Sequence, residues 1–114
     1  MTPDEQTAIE AHAFRSLVNH LRVTSDVVSN IDLMGLAGFC RNCLAKWWLR
    51  AARDVAAAKG GDTSQLTYDA ACVHIYGESY SSWKKQHQKP ATPEQLVRDP
   101  SAPFRESFSP PRHE

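Results

Sequence analysis

The sequence has no excess of charge of either sign and no long apolar run. Thirteen Lys and Arg residues are balanced by thirteen Asp and Glu residues, so the formal net charge is zero. Nucleic-acid-binding proteins usually rely on an excess of positive charge to attract phosphate groups, and we therefore expect no nucleic-acid partner. No stretch approaches the roughly 20 consecutive apolar residues of a membrane-spanning helix, so we expect no membrane association.

Targeting signals and common catalytic motifs are also missing. The start of the chain, MTPDEQTAIE, lacks the basic and apolar segments of a signal peptide, and we expect a cytoplasmic protein. Because thiols stay reduced there, its three cysteines are expected to be core residues, redox groups or metal ligands. We find no Gly-rich phosphate loop, nucleophile elbow or catalytic carboxylate pair, which favours a protein that is not an enzyme.

What the sequence does contain is helical periodicity. With 114 residues and 41% apolar composition, the chain can bury one core without disulfides or metals. We predict an all-α domain over residues 1–98, a compact array of about five helices around one long central helix. The shorter helices are predicted at residues 3–22, 68–76, after Ser79, and 93–98. Residues 99–114 are rich in proline and poor in apolar side chains, which predicts a mobile tail.

The central helix is predicted over residues 30–58, with Asn30 as its N-cap. Placed on a helix at about 100° per residue, its apolar side chains share one arc of roughly 140°, which predicts that this arc is buried. The arc contains Leu33, Leu36, Ala37, Cys40, Cys43, Leu44, Trp47, Trp48, Ala51, Val55 and Ala58. Gly35 and Gly38 lower helix propensity by about 1 kcal/mol each, so they allow a break in this segment.

The segment Phe39-Cys40-Arg41-Asn42-Cys43 contains a single C-x-x-C motif. Two cysteines three residues apart on a helix have neighbouring Cβ atoms, so they could share a metal or form a strained disulfide. One pair provides half of a tetrahedral zinc site, and Cys72 is the best placed further ligand. A site for zinc or another thiophilic metal would then use Cys40, Cys43 and Cys72, and no other cofactor is expected.

Two other interpretations of the pair remain open. Redox chemistry would require a true break at Gly38, because only then would Cys40 lie at a helix start, where the helix dipole lowers a thiol pKa. Otherwise Cys40 and Cys43 are small apolar residues in the central seam, which is the interpretation we favour.

Five residues are candidates for binding another protein. Arg41 lies at the border of two apolar strips, so its guanidinium is expected to find a carboxylate, with Asp69 or Glu78 as partners. The polar face of the central helix carries a basic stripe that includes Lys46, Arg50 and Arg53, either solvated or a partner site. Most aromatic residues should be core, but one face of Trp48 or Trp83 could lie in a pocket or an interface.

Two runs of the sequence resemble a known family. NIDLMGLAGFCRNCLAKWW, residues 30–48, and VHIYGESYSSWKKQHQ, residues 73–88, resemble small bacterial proteins grouped as domain of unknown function 1244. The resemblance extends from about Ala13 to Leu96 and implies a compact all-α fold with no established activity. Ser79 stands where the family pattern has proline, so a serine cap is expected at that helix start.

Together these observations predict a non-catalytic helical domain that acts by binding, either to itself as a dimer or to another protein. This hypothesis predicts an apolar patch near Lys46, Arg50 or the C-terminal helices. The alternative is a thiol site in which Cys40 and Cys43 bind a metal or cycle between dithiol and disulfide.

Overall fold

The structure, a computed structural model, describes residues 1–96 and is all-α over that range. It contains six helices, and no strand occurs within these residues. The helices are α1 (Pro3–Val23), α2 (Asn30–Ala37), α3 (Arg41–Ala58), α4 (Tyr68–Tyr76), α5 (Tyr80–His87) and α6 (Pro93–Leu96). The predicted all-α class is confirmed. The last part of the predicted final helix and the predicted mobile tail, residues 97–114, lie outside the described residues.

Local cap signals fix the starts of several helices. Thr2 and Glu5 form a capping box at α1, in which the Thr2 hydroxyl accepts from the Glu5 N–H and the Glu5 carboxylate accepts from the Thr2 N–H. Thr67 caps α4 through the N–H of Ala70, and Ser79 caps α5. The bounds predicted for α4 and the serine cap of α5 are therefore confirmed.

The prediction of a single long central helix over residues 30–58 is wrong, because the segment forms two helices. Gly38 adopts a left-handed conformation with φ 77° and ends α2, and α3 begins three residues later. Glycine reaches positive φ at little cost, so the chain can turn sharply here. Asn30 is not the N-cap of α2, since Ser29 and Asp32 form a capping box there instead.

The predicted burial of the whole apolar arc is also wrong. The first half of α3 is buried at Cys43, Leu44 and Leu49, but Val55 is 56% exposed and Leu36 is 75% exposed. The 18 residues of α3 span about 27 Å, whereas the nine residues of α4, its main packing partner, span about 14 Å. The neighbouring helix is therefore too short to cover the C-terminal half of α3.

The core lies where α1, α3, α4 and α5 meet. Its buried residues are Val18, Leu21, Leu44, Ala45, Leu49, Ala71, Cys72, Ile75, Tyr76 and Trp83. Arg22 fastens the end of α1 to the end of α4, since its side chain donates hydrogen bonds to the carbonyl oxygens of His74 and Ile75. A cation at this end of α4 also complements the helix dipole.

Candidate functional site

The break at Gly38 places both cysteines of the C-x-x-C motif at the start of α3. Cys40 is the N-cap, with φ −135° and ψ −179°, and Cys43 occupies the third helical position. These are the two positions that the capping boxes fill in α1 and α2. Here no side-chain cap hydrogen bond is formed, because a thiol is a weak acceptor. The first turn of α3 therefore carries a dithiol where its counterparts carry a hydroxyl and a carboxylate.

The two thiols are in contact with each other and largely shielded from solvent. Their Sγ atoms are 3.7 Å apart, and Cys40 and Cys43 are 8% and 3% exposed. The hydrogen bond between the two sulfur atoms, helped by the Cys40 N–H and by Lys46, lowers the pKa of Cys43, although burial opposes this. The same bond, together with burial, raises the pKa of Cys40. The two pKa values are shifted in opposite directions, so Cys43 is the more acidic thiol of the pair.

Cys72 does not join this pair. It is 1% exposed in the core, where burial raises its pKa. Within residues 1–96, no three His, Cys, Asp or Glu side chains are grouped closely enough to hold a metal ion. The structure therefore does not bring the predicted set of Cys40, Cys43 and Cys72 together. A metal at Cys40 and Cys43 would need further ligands from outside these residues, and the metal hypothesis stays a prediction.

Arg41 is 1% exposed and bonded to neutral oxygens, so the predicted pairing with Asp69 or Glu78 is wrong. Its Nε donates to the carbonyl oxygen of Leu21 at 2.9 Å and its Nη1 to Oδ1 of Asn30 at 3.1 Å. The carbonyl group lies in the last turn of α1, where the helix dipole favours a cation. Arg41 therefore links α1, α2 and α3 inside the protein rather than offering its charge to a partner.

The buried aromatic cluster is centred on Trp83, which is 2% exposed. Its indole N–H donates to the Ser25 hydroxyl at 3.0 Å, and the Arg41 guanidinium lies 5.3 Å from its ring centroid. The ring of Tyr76 lies 4.7 Å away, and the Tyr76 hydroxyl donates to Oδ1 of Asn42 at 2.6 Å. Trp83 is therefore a core residue.

Trp48 is half-buried and separates two apolar depressions. Its ring stacks on His74 at 4.5 Å, and burial lowers the pKa of His74, with Arg22 and Arg15 adding to the effect. We call the first depression the Trp48 cleft. It has a volume of about 490 Å³ and is lined by Ala11, Phe14, Arg15, Leu44, Trp47, Trp48, Ala51 and His74.

The second depression, which we call the Val55 groove, has a volume of about 520 Å³. It is lined by Trp48, Ala51, Ala52, Val55, Ala56, Asp62, Gln65 and Leu66. Lys46 and Arg50 are exposed on α3 but line neither depression. Of the five predicted binding residues, Trp48 therefore lies in an open apolar surface, Lys46 and Arg50 lie on the helix that carries it, and Arg41 and Trp83 are buried.

The N-terminal half of α1 was not predicted as part of a site. We call residues 3–13 the acidic arm, because they include Asp4, Glu5 and Glu10 and no Lys or Arg. Residues 1–10 are all exposed, and Ile9 is 52% exposed. We call Lys46, Arg50 and Arg53 on α3 the basic face. The charge asymmetry is visible in the sequence, but the position of the arm beyond the core becomes clear only in the structure.

The fold and these surfaces define a small all-α domain with a buried dithiol and an open apolar surface. The chain belongs to the family described as protein of unknown function (DUF1244), whose sequence profile matches residues 28–99. The resemblance found in the sequence is thus confirmed. A search of curated proteins finds no match. No helix within residues 1–96 is long and apolar enough to cross a membrane.

Proposed function

We propose that this protein is a self-associating helical module, in which a second copy of the same chain covers the Trp48 cleft and the exposed half of α3. One observation carries the proposal: the acidic arm and the basic face have opposite charges, and their charged residues are all exposed. Each therefore offers the other copy an exposed surface of opposite charge.

The apolar part of this surface is continuous. Single exposed apolar residues are normal on soluble proteins. Here, however, the exposed Val55 is part of the lining of the Val55 groove, and Trp48 lines both this groove and the Trp48 cleft. Contiguous apolar depressions rimmed by polar residues are typical of interaction sites. A half-buried tryptophan is also typical of interfaces, since it contributes a large contact area.

The charges favour a second copy as the occupant. Asp4, Glu5 and Glu10 give the arm three negative charges, and the basic face carries three positive charges. In a twofold dimer each contact occurs twice, so both arms would meet both basic faces. Such complementarity steers association and fixes its register. Because the chain has no formal net charge, two copies also do not repel each other as wholes.

Light scattering measures the mass of the purified full chain in solution and so tests for the expected dimer. We expect a mass of twice 12.7 kDa at micromolar concentration. Raising the ionic strength from about 0.1 M to about 1 M shortens the screening length from about 10 Å to about 3 Å, so the dimer should weaken. A mass of 12.7 kDa at every concentration and ionic strength would contradict the proposal.

The substitution Val55→Glu tests which surface is used. A charge placed at the apolar groove should raise the Kd of the dimer by about tenfold or more, which corresponds to the loss of more than about 1 kcal/mol. Val27→Glu is the matched control, because Val27 is also exposed, at 79%, but lies between α1 and α2. Equal effects of the two substitutions, or no effect of Val55→Glu, would show that the groove is not the interface.

A further inference from the structure

A second candidate site, whose chemistry differs from that of the proposed interface, lies at the start of α3. We propose that Cys40 and Cys43 form a reversible dithiol–disulfide pair that is oxidised by small hydroperoxides, such as hydrogen peroxide. The inference rests on the position of the two residues at one helix start and on the contact between their sulfur atoms.

The geometry allows an intramolecular disulfide with little rearrangement. The sulfur atoms are 3.7 Å apart and need to approach by about 1.7 Å to reach a bonding distance. Residues at the N-cap and third helical position have neighbouring Cβ atoms, so rotation of the side chains brings the sulfurs together. Cys40 has extended backbone angles outside the helix, and its carbonyl oxygen accepts from the Leu44 N–H at 3.1 Å, so the approach comes from the side chains while this backbone contact is kept.

The electrostatic environment lowers the pKa of one of the two thiols, which favours its oxidation. The free N–H groups of a helix start stabilise a negative charge, and the thiolate is the form of cysteine that reacts. The sulfur–sulfur hydrogen bond with Cys40 and the positive charge of Lys46 both lower the pKa of Cys43, although burial opposes them. Cys43 is thus the more acidic of two thiols whose sulfur atoms already lie in contact.

Cysteine at these two positions also costs helix stability. Ser, Thr, Asp or Asn at an N-cap stabilises a helix relative to a residue that cannot cap. The chain uses such residues at Thr2, Ser29, Thr67 and Ser79. In α3 it has Cys40 instead and forms no side-chain cap. What a thiol adds at this position is chemical reactivity, which a hydroxyl or a carboxylate would not provide.

The reaction balances in two steps. The Cys43 thiolate attacks one oxygen of hydrogen peroxide, the O–O bond breaks, and Cys43 sulfenic acid forms while hydroxide leaves and takes a proton to become water. The Cys40 sulfur then attacks the Cys43 sulfur, the S–O bond breaks, and a second water leaves with the Cys40 proton. Both sulfurs are oxidised and both peroxide oxygens are reduced. A small external dithiol, such as dithiothreitol, reverses the change by disulfide exchange and becomes a disulfide itself.

The burial of both sulfur atoms limits the size of the oxidant that can reach them. Cys43 is 3% exposed and Cys40 is 8% exposed, so a bulky disulfide or a folded protein cannot approach in line with either sulfur. A peroxide of a few atoms can reach them through small fluctuations of the start of α3. The pair is therefore suited to sensing small oxidants rather than to exchanging disulfides with large substrates.

Mass spectrometry of the full-length, fully reduced protein tests the proposal. After brief treatment with hydrogen peroxide and blocking of free thiols under denaturing conditions, we expect a loss of two hydrogen atoms from the chain. Trypsin cleaves after Arg41, between the two cysteines, so the disulfide should link the peptides of residues 23–41 and 42–46. Dithiothreitol should separate them and restore both thiols.

Single substitutions provide the controls. Cys40→Ser and Cys43→Ser should each abolish the linked peptides, whereas Cys72→Ser should leave them unchanged. In the wild-type chain, Cys43 should react about tenfold or more faster than Cys72, because its thiolate fraction is larger. Oxidation of Cys72 at the same rate, direct conversion of Cys43 to sulfinic acid without linked peptides, or disulfides only between chains would each overturn the proposal.

Discussion

Replacing Arg41 by Met is expected to lower the free energy of unfolding by about 3 kcal/mol or more. The substitution removes the guanidinium donors of the Leu21 carbonyl group and of Oδ1 of Asn30, and leaves Asn30 only the backbone N–H of residue 41 as a donor from this position. A hydrogen bond to a charged group contributes about 1.5–3 kcal/mol, and a buried acceptor left unsatisfied costs about 1–3 kcal/mol. The cation over the Trp83 ring is lost as well. Urea unfolding followed by circular dichroism measures the loss.

Two further variants make the Arg41 prediction specific. Arg41→Lys keeps the charge but cannot bond Leu21 and Asn30 together through a planar fork, so an intermediate loss is expected. Lys85→Met removes an exposed cation and should change the free energy of unfolding by less than about 0.5 kcal/mol. If Arg41→Met cost no more than Lys85→Met, the inferred link between α1, α2 and α3 would be wrong.

Replacing Trp83 by Ala is expected to have an effect of similar size, about 4 kcal/mol. The side chain is 2% exposed and packs against Tyr76 and Tyr80, so its loss leaves a large cavity where α5 meets the core. It also removes the hydrogen bond to Ser25. Thermal unfolding should shift downward by more than about 10 °C, since each kcal/mol lowers the Tm of a small domain by about 4–8 °C.

Trp48→Ala is the matched control for the Trp83 prediction. The same side chain is removed, but Trp48 is half-buried beside an open cleft, so its loss should cost less than half as much stability. The Trp48 substitution should instead weaken the dimer. If Trp83→Ala were tolerated and Trp48→Ala unfolded the protein, the assignment of core and interaction surface would be reversed.

Helix starts that depend on neighbouring residues could be predicted from the sequence. Thr2 with Glu5, and Thr67 before α4, satisfy N–H groups within their own turn, so no knowledge of the rest of the chain is needed. For Gly38, the sequence showed that a break in the helix was possible but not that it would form. The preference of glycine against a helix, about 1 kcal/mol, is small compared with the tertiary contacts that decide between a bend and a continuous helix.

Contacts between distant segments were the part that the sequence left undetermined. A pattern that places Arg41 among apolar residues predicts that its charge needs a partner, and acidic residues are the usual partners. The observed acceptors are the backbone carbonyl oxygen of Leu21 and the side-chain oxygen of Asn30. Other residue types with a suitable oxygen could accept the same hydrogen bonds, so the residue types alone do not identify the partners. Likewise, periodicity predicts that α3 has an apolar face, but the extent to which the face is covered depends on the length of α4.

The candidate site was predicted in part. The C-x-x-C motif identified Cys40 and Cys43, and the expected condition for thiol chemistry, a helix start at Cys40, is met. The thiol whose pKa is lowered is Cys43, however, and not Cys40 as expected, because the sulfur–sulfur hydrogen bond and burial raise the pKa of Cys40. The further ligand Cys72 was chosen by the face of its helix, and helical periodicity gives no distance between separate helices. The acidic arm carries no Lys or Arg, a signal that could have been read, but its exposure depends on the packing of α1.

Exchanging charges between the acidic arm and the basic face tests the proposed dimer most directly. In one variant Asp4 and Glu10 become Lys, and in the other Lys46 and Arg53 become Glu. Each variant alone should be monomeric where the wild-type chain dimerises, because like charges would meet at both contacts. An equimolar mixture should form a mixed dimer in native mass spectrometry, since opposite charges then meet at both. Variants that each dimerise like the wild-type chain, or a mixture that stays monomeric, would contradict the proposed pairing.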